Sequence, residues 1–237
     1  MKNNLAKLFN AEKPIIGMIH LAGSDSQERI KRGIEELVLY DQEKVSGAII
    51  EDYHGSSIDV YGVLKESQKL KLKIVKGVNV LRDPYSAFEL ASNFGAKFIQ
   101  FDSVQTPDLN LKIYSALREK YPNIFVLGGV GFKYTMPTGN PLKQDLEEGM
   151  QRCGAIVTTG AGTGIETPIE KLRAYKKILG NFPLIAGAGV NADNIKEQLS
   201  VADGAIIGSS FKPEGNTFLP VDRNLVKSIM EIVLKLK

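Results

Sequence analysis

The sequence predicts an α/β protein, a closed (β/α)8 barrel. Short apolar runs alternate with helical patterns along all 237 residues, and eight such strand–helix units can be counted. The runs lack strict polar–apolar alternation, as parallel strands buried on both faces do. The last two units lie within PLIAGAGVNADNIKEQLSVADGAIIGSSFK, from Pro183 to Lys212, and each carries glycines just past its strand. Barrels of this class build a phosphate site after strands seven and eight. Glycine there lets backbone N–H groups approach an anion, and a helix N-terminus adds a favourable dipole.

The elements follow in order. Pro14 to His20 (PIIGMIH) reads as the first strand and Gln27 to Tyr40 as its helix. Ser46 to Asp52 is the second strand, with a helix over Asp59 to Leu72. Lys73 to Val80 contains the third strand, and Pro84 to Phe94 a helix with proline at a tolerated N-terminal position. Ala96 to Asp102 (AKFIQFD) is the fourth strand, Leu109 to Lys120 a helix, and Ile124 to Gly129 the fifth strand. The glycine- and proline-containing loop GFKYTMPTGNP precedes a helix from Leu142 to Arg152. Ala155 to Thr159, Pro183 to Ala186 and Gly204 to Ile207 are the last strands. Helices over Thr167 to Leu179, Asn191 to Leu199 and Asp222 to Leu236 complete the count. The late position of GAGV argues against a leading dinucleotide-binding unit, whose fingerprint follows an early strand.

Composition fits one domain over 1–237, close to the typical barrel length of about 250; no Pro/Ser-rich linker divides the chain. At 43% hydrophobic and 24% charged it has an ordinary core-forming composition. A net charge of +3 without a long basic run or finger spacing gives no indication of nucleic acid. One cysteine, Cys153, excludes an intrachain disulfide and reads as an inert core residue. MKNNLAKLFN lacks the apolar core of a signal peptide, and no run approaches the ~20 residues of a membrane helix, so a cytoplasmic protein is expected.

Barrel enzymes place their chemistry at the C-terminal ends of the strands. There the sequence sets His20, then Glu51, Asp52 and His54, then Asn79 and Arg82, then Gln100 and Asp102. Lys133 and Tyr134 follow strand five, and Thr158, Thr159, Thr163 and Gly164 follow strand six. Gly187, Gly189, Gly208, Ser209 and Lys212 follow strands seven and eight. Repetition of polar residues after apolar strands points to a polar pocket. His20 is expected to exchange protons or touch ligand, with a plain strand-end hydrogen bond as the alternative. Glu51 and Asp52 are adjacent, so only one of them faces the barrel mouth. Asp102 reads equally as a site carboxylate or as a helix cap or salt-bridge partner. Lys133 reads as a phosphate ligand, a proton donor or a solvated lysine, and Arg82 as a ligand or a partner of Asp83 or of a surface carboxylate. His54 reads as incidental.

The segments KPIIGMIHLAG, GVNVLRDPYSAFELASNFGAKFIQFD, IVTTGAGTG and the Pro183–Asp222 stretch occur in an order that resembles the BtpA/SgcQ family and cover most of the chain. The resemblance implies a TIM barrel of the ribulose-phosphate-binding type. It also implies a link either to photosystem I biogenesis at thylakoid membranes or to sugar-phosphate and nucleoside metabolism. His20, Glu51, Asn79, Arg82, Lys133, Thr159, Gly160, Thr163, Gly164, Gly187, Gly189, Asp203, Gly204, Gly208, Lys212, Gly215 and Asp222 sit where the family motifs place their equivalents. Three places depart. Asp52 stands where relatives carry Asn. GGVGFKYT replaces a motif like ADVKVKHA, so its acidic and histidine positions are Gly129 and Tyr134. The Asp-Gln-Gly segment after strand four is not apparent in SVQTPDLN.

Three functions are expected in this order. The first is an enzyme on a phosphorylated sugar or nucleoside-type metabolite. Its catalytic groups are His20, Glu51, Asp102 and Lys133. Its binding groups are Asn79, Arg82, Thr159, Thr163, Gly164, Gly187, Gly189, Gly208, Ser209 and Lys212. Isomerisation, lyase chemistry and glycosidic cleavage all fit such a set, and a Schiff base at Lys133 is a further variant. The second uses a divalent metal on Glu51, Asp52, Asp102 and His20, although no tight ligand spacing calls for one and the sequence requires no cofactor. The third is a non-enzymatic, membrane-associated assembly factor, in which NLVKSIMEIVLKLK lies on a membrane surface rather than on the barrel. A homo-oligomer is compatible with all three.

Overall fold

The structure is a computed structural model that describes residues 4–236. Residues 1–3 and 237, within the domain expected over 1–237, lie outside the described residues. The strands are β1 (Ile15–Ile19), β2 (Gly47–Glu51), β3 (Val75–Asn79), β4 (Phe98–Phe101), β5 (Phe125–Gly129), β6 (Ala155–Thr158), β7 (Leu184–Ala186) and β8 (Gly204–Ile207). They form a closed parallel barrel in chain order, with Ile15–Gly17 of β1 pairing with Ala205–Ile207 of β8. The helices are α1 (Asn4–Phe9), α2 (Ser26–Gln42), α3 (Ser57–Ser67), α4 (Ser86–Phe94), α5 (Leu111–Lys120), α6 (Leu142–Arg152), α7 (Ile169–Leu179), α8 (Ile195–Val201) and α9 (Arg223–Leu234). The fold is therefore a (β/α)8 TIM barrel, as the alternating pattern predicts.

Two apolar cores follow from the period of two along each strand. Inward residues such as Ile16, Met18, Ile49, Phe98, Leu127, Val157, Ile185 and Ile206 fill the barrel. Outward residues such as Ile15, Ile50, Val78, Ile99 and Ile156 pack under the helices. Helix α1, not expected from the sequence, belongs to the inner core: Leu5 and Phe9 are buried there. Phe9 meets Phe98 edge-on with ring centroids 5.1 Å apart, at the N-terminal end of the strands. Six residues are too few to display a helical period, so only the burial reveals this helix.

Three other expectations change. Helix α3 ends at Ser67, before the expected Leu72, and the Ser67 hydroxyl donates to the Leu64 carbonyl at 2.7 Å. Helix α8 starts at Ile195 rather than Asn191, because Asn191 Oδ1 takes the N–H groups of Asp193 and Asn194 into a local turn. In α9 the apolar positions Val226, Ile229, Met230 and Val233 are buried, so the stripe read as a possible membrane face packs inside the fold. No helix of the described residues is long and apolar enough to cross a membrane. Cys153 is buried before β6, its thiol donates to the Gly149 carbonyl at 3.1 Å, and burial pushes its pKa up to about 12.

Candidate functional site

Extending the inward parity of each strand by one step past its apolar residues sets His20, Glu51, Asn79, Asp102, Gly187 and Gly208 around the C-terminal mouth. All six line one cavity of about 400 Å³. Lys133, Thr163, Gly164, Gly189 and Ser209 reach it from the loops after β5 to β8. Its floor is the top of the inner core, Met18, Phe132 and Ile206.

The centre of the cavity is a chain of carboxyls and amides. Asn79 Nδ2 donates to Glu51 Oε1 at 2.8 Å and to Asp102 Oδ1 at 3.1 Å. Gln100 Nε2 donates to the same Asp102 oxygen at 2.7 Å. Burial, and then the neighbouring Asp102 carboxylate, push the Glu51 carboxyl up to about 8, against the pull of Lys133 and of the Asn79 hydrogen bond. Asp102 is also raised, chiefly by burial. Two like-charged groups in one low-dielectric site resist ionising together, so at neutral pH Glu51 keeps its proton.

His20 borders both this array and the glycine loops. It is 4% exposed, and burial, followed by Lys212, His54, Lys133 and Arg32, holds its pKa well below the ordinary histidine value. It is therefore a neutral imidazole at pH 7. Gly208 makes room for it: a Cβ at that position would stand 2.7 Å from His20 Cε1. Gly189 is equally constrained, with φ of 66° and a hypothetical Cβ 2.2 Å from the Glu166 nitrogen. The loop after β6 so presses on the loop after β7, and Gly164 in turn faces Ser209 Oγ. After β8, Ser209–Phe211 form a single 3-10 turn, whose first N–H groups have no partner within the turn.

Tyr53 and Thr163 come from the loops after β2 and β6, on opposite sides of the eight-stranded ring. Their hydroxyls meet at 3.3 Å, while Tyr134 Oη accepts the Thr163 N–H at 3.2 Å. Three loops are thus joined over the mouth through Thr163.

Several expected site residues lie elsewhere. Arg82 is exposed, bonds the Gly55 carbonyl at 3.1 Å and does not line the cavity. Thr159 is buried, its hydroxyl accepting the Lys133 N–H at 2.6 Å, so it shapes the Lys133 loop. Lys212 is 2% exposed and pairs with Glu36 at 3.0 Å and with the Leu219 carbonyl at 2.8 Å. Its charge is spent inside the protein. The four-residue metal set also comes apart. Asp52 Oδ1 turns away to accept the Leu81 N–H at 2.7 Å, and no cluster of three metal-binding side chains exists among the described residues. His54, read as incidental, stacks on Phe218 at 3.8 Å and bonds Thr217 at 2.9 Å.

Tyr53 and Asp108 are cavity residues to which the sequence did not point, whereas Gln100, expected at the strand-four end but given no role, also lines the cavity. Gln100 shares the inward face of Asp102, which follows two residues on, just past β4. Tyr53 and Asp108 lie in loops and carry no periodic signal. Gly129, where the resemblance implies an acidic residue, packs against β4: a Cβ there would be 2.0 Å from the Asp102 carbonyl oxygen. The carboxylate of this region is supplied by Asp102 instead.

The chain is 27% identical to the photosystem I biogenesis protein BtpA of Synechocystis sp., over 96% of this chain and 90% of that one. It is 28% identical to the sgc region protein SgcQ of Escherichia coli, over 68% of this chain and 65% of that one. Its fold is similar to thiamine phosphate pyrophosphorylase from Pyrococcus furiosus, with a TM-score of 0.67 and 17% identity over 97% and 98% of the two chains. The BtpA family model matches residues 11–235, and the chain belongs to the BtpA family.

Proposed function

We propose that this barrel is an enzyme acting on a phosphorylated sugar or nucleoside-type metabolite. The phosphate lies against the backbone of Ala188–Gly189 and Gly208–Ser209, where close approach to N–H groups is possible; Gly187 lines the cavity, but its N–H is held by the Thr158 carbonyl at 2.8 Å. Neutral His20 offers a ring nitrogen to the same region. The observation that carries the reading is the Glu51–Asn79–Asp102 array in the same cavity. One carboxyl that holds its proton at pH 7 beside a second that shares the site forms an acid/base pair. Glu51 donates a proton, Asp102 accepts one, and Lys133 stabilises negative charge as it develops. The fold likeness to an enzyme named for thiamine phosphate supports the ligand class. The reaction is a proton transfer at a carbon or at a glycosidic oxygen of the sugar.

Proton and phosphorus NMR on sugar phosphates and glycosyl phosphates in D2O tests this. Exchange of a carbon-bound hydrogen, or a new phosphoester signal, is expected with the parent protein. Glu51→Gln and Asp102→Asn should lower that rate about 10²-fold or more, while binding stays within a few-fold. Tight binding of these compounds without any reaction would leave a binding protein and sink the enzymatic reading.

A further inference from the structure

The cavity has a second end. In the closed strand order, β7 and β8 face β3 and β4 across the mouth. The glycine loops occupy the first side. The loops after β3 and β4 line the second with Leu81, Pro84, Tyr85 and Leu109. Tyr85 is fixed in place: its hydroxyl accepts the Asn110 N–H at 2.7 Å, and its ring meets Phe101 edge-on at 5.6 Å. A ring already held on two sides loses little freedom when a ligand settles on it. Leu81 remains 37% exposed beside it, an apolar surface that a ligand could cover.

Acceptors line the same cavity. Asp108 contributes a carboxylate, one oxygen of which takes the Met136 N–H at 3.2 Å. Gln100 Oε1 is buried without a hydrogen-bond partner among the described residues, while its nitrogen is committed to Asp102. A buried acceptor left unpaired is costly, and a ligand N–H relieves the cost. Apolar walls with acceptors nearby fit a flat ring that carries N–H groups at its rim. Sugar hydroxyls could serve the acceptors, but sugar phosphate alone would leave the apolar wall of Leu81 and Tyr85 uncovered.

We infer that the ligand carries a flat nitrogenous ring, seated against Tyr85 at the end opposite its phosphate. This rests on the phosphate reading above. The sugar then lies between the two ends, over the Glu51–Asp102 pair.

Calorimetric titration with ribose 5-phosphate, uridine 5′-monophosphate and adenosine 5′-monophosphate tests it. At least one nucleotide is expected to bind about tenfold more tightly than ribose 5-phosphate. Tyr85→Ala should erase that advantage and leave ribose 5-phosphate within about twofold of its parent affinity. Asp108→Asn changes an exposed side chain, so folding is kept, and it should weaken only the nucleotide. Equal affinity for all three compounds, or equal weakening of all three by both variants, overturns the ring site and leaves the phosphate site standing. Failure of all three to bind overturns both.

Discussion

Glu51 shows how much one residue's surroundings decide. Its position at the end of an apolar strand is readable in GAIIED, and so is the divergence of Asp52 to the other face. The proton it keeps is not readable, because that depends on burial and on Asp102 arriving from two strands away. The sign of the effect on stability can be worked out. In the unfolded chain the carboxyl ionises near its ordinary 4.5, whereas in the barrel it holds its proton to about 8. Between those values the folded state binds more protons, so this group's contribution is complete below pH 4.5 and is lost as pH rises through about 8. Glu51→Gln keeps an uncharged acceptor for Asn79 and removes the titration. Its melting temperature relative to the parent should therefore climb from pH 5 to pH 8.5. A constant offset across that range would mean that Glu51 is ionised in the folded protein.

At the scale of elements, strands were legible because burial on both faces leaves short, mostly apolar runs, and every strand lies within the run that predicts it. Helix ends were less legible, because side-chain turns such as the one at Asn191 replace the first helical turn without changing composition. Long loops hid most. Lys212 looks like a phosphate ligand by position, yet it ties the loop after β8 to α2. Glu36 receives its ammonium group, the Val221 N–H at 3.1 Å and Arg32 at 3.3 Å. Arg32 also bonds the Phe218 carbonyl at 2.7 Å, fixing the loop whose Phe218 covers His54. Removing one partner of a buried pair costs about 3–5 kcal/mol, and Arg32 keeps Glu36 partly compensated, so about 3 kcal/mol is expected for Lys212→Met. Urea unfolding measures it. Phosphate affinity should change little; unaltered stability with lost phosphate affinity would return Lys212 to the role that its sequence position suggested.

For the molecule as a whole, barrel closure brings groups far apart in sequence into one cavity: glycine loops on one side, the carboxyl pair in the middle and the Tyr85 wall opposite. The glycine half could be read from local sequence, since two tandem βα units build it. The Tyr85 half could not, because its residues are ordinary loop residues until the ring closes. The claim on which the ligand class depends is that phosphate sits at the loops after β7 and β8. The most direct measurement is the melting temperature against phosphate, sugar phosphates, nucleotides and their unphosphorylated counterparts, for the parent and for Ser209→Asp. An aspartate at the start of that 3-10 turn suits the local dipole and repels a second anion. Stabilisation by phosphorylated compounds alone is expected, about 2.7 kcal/mol at 100 times the dissociation constant, and it should vanish in Ser209→Asp. Equal shifts with the dephosphorylated compounds, or no shift with any phosphate compound at millimolar concentration, would contradict it.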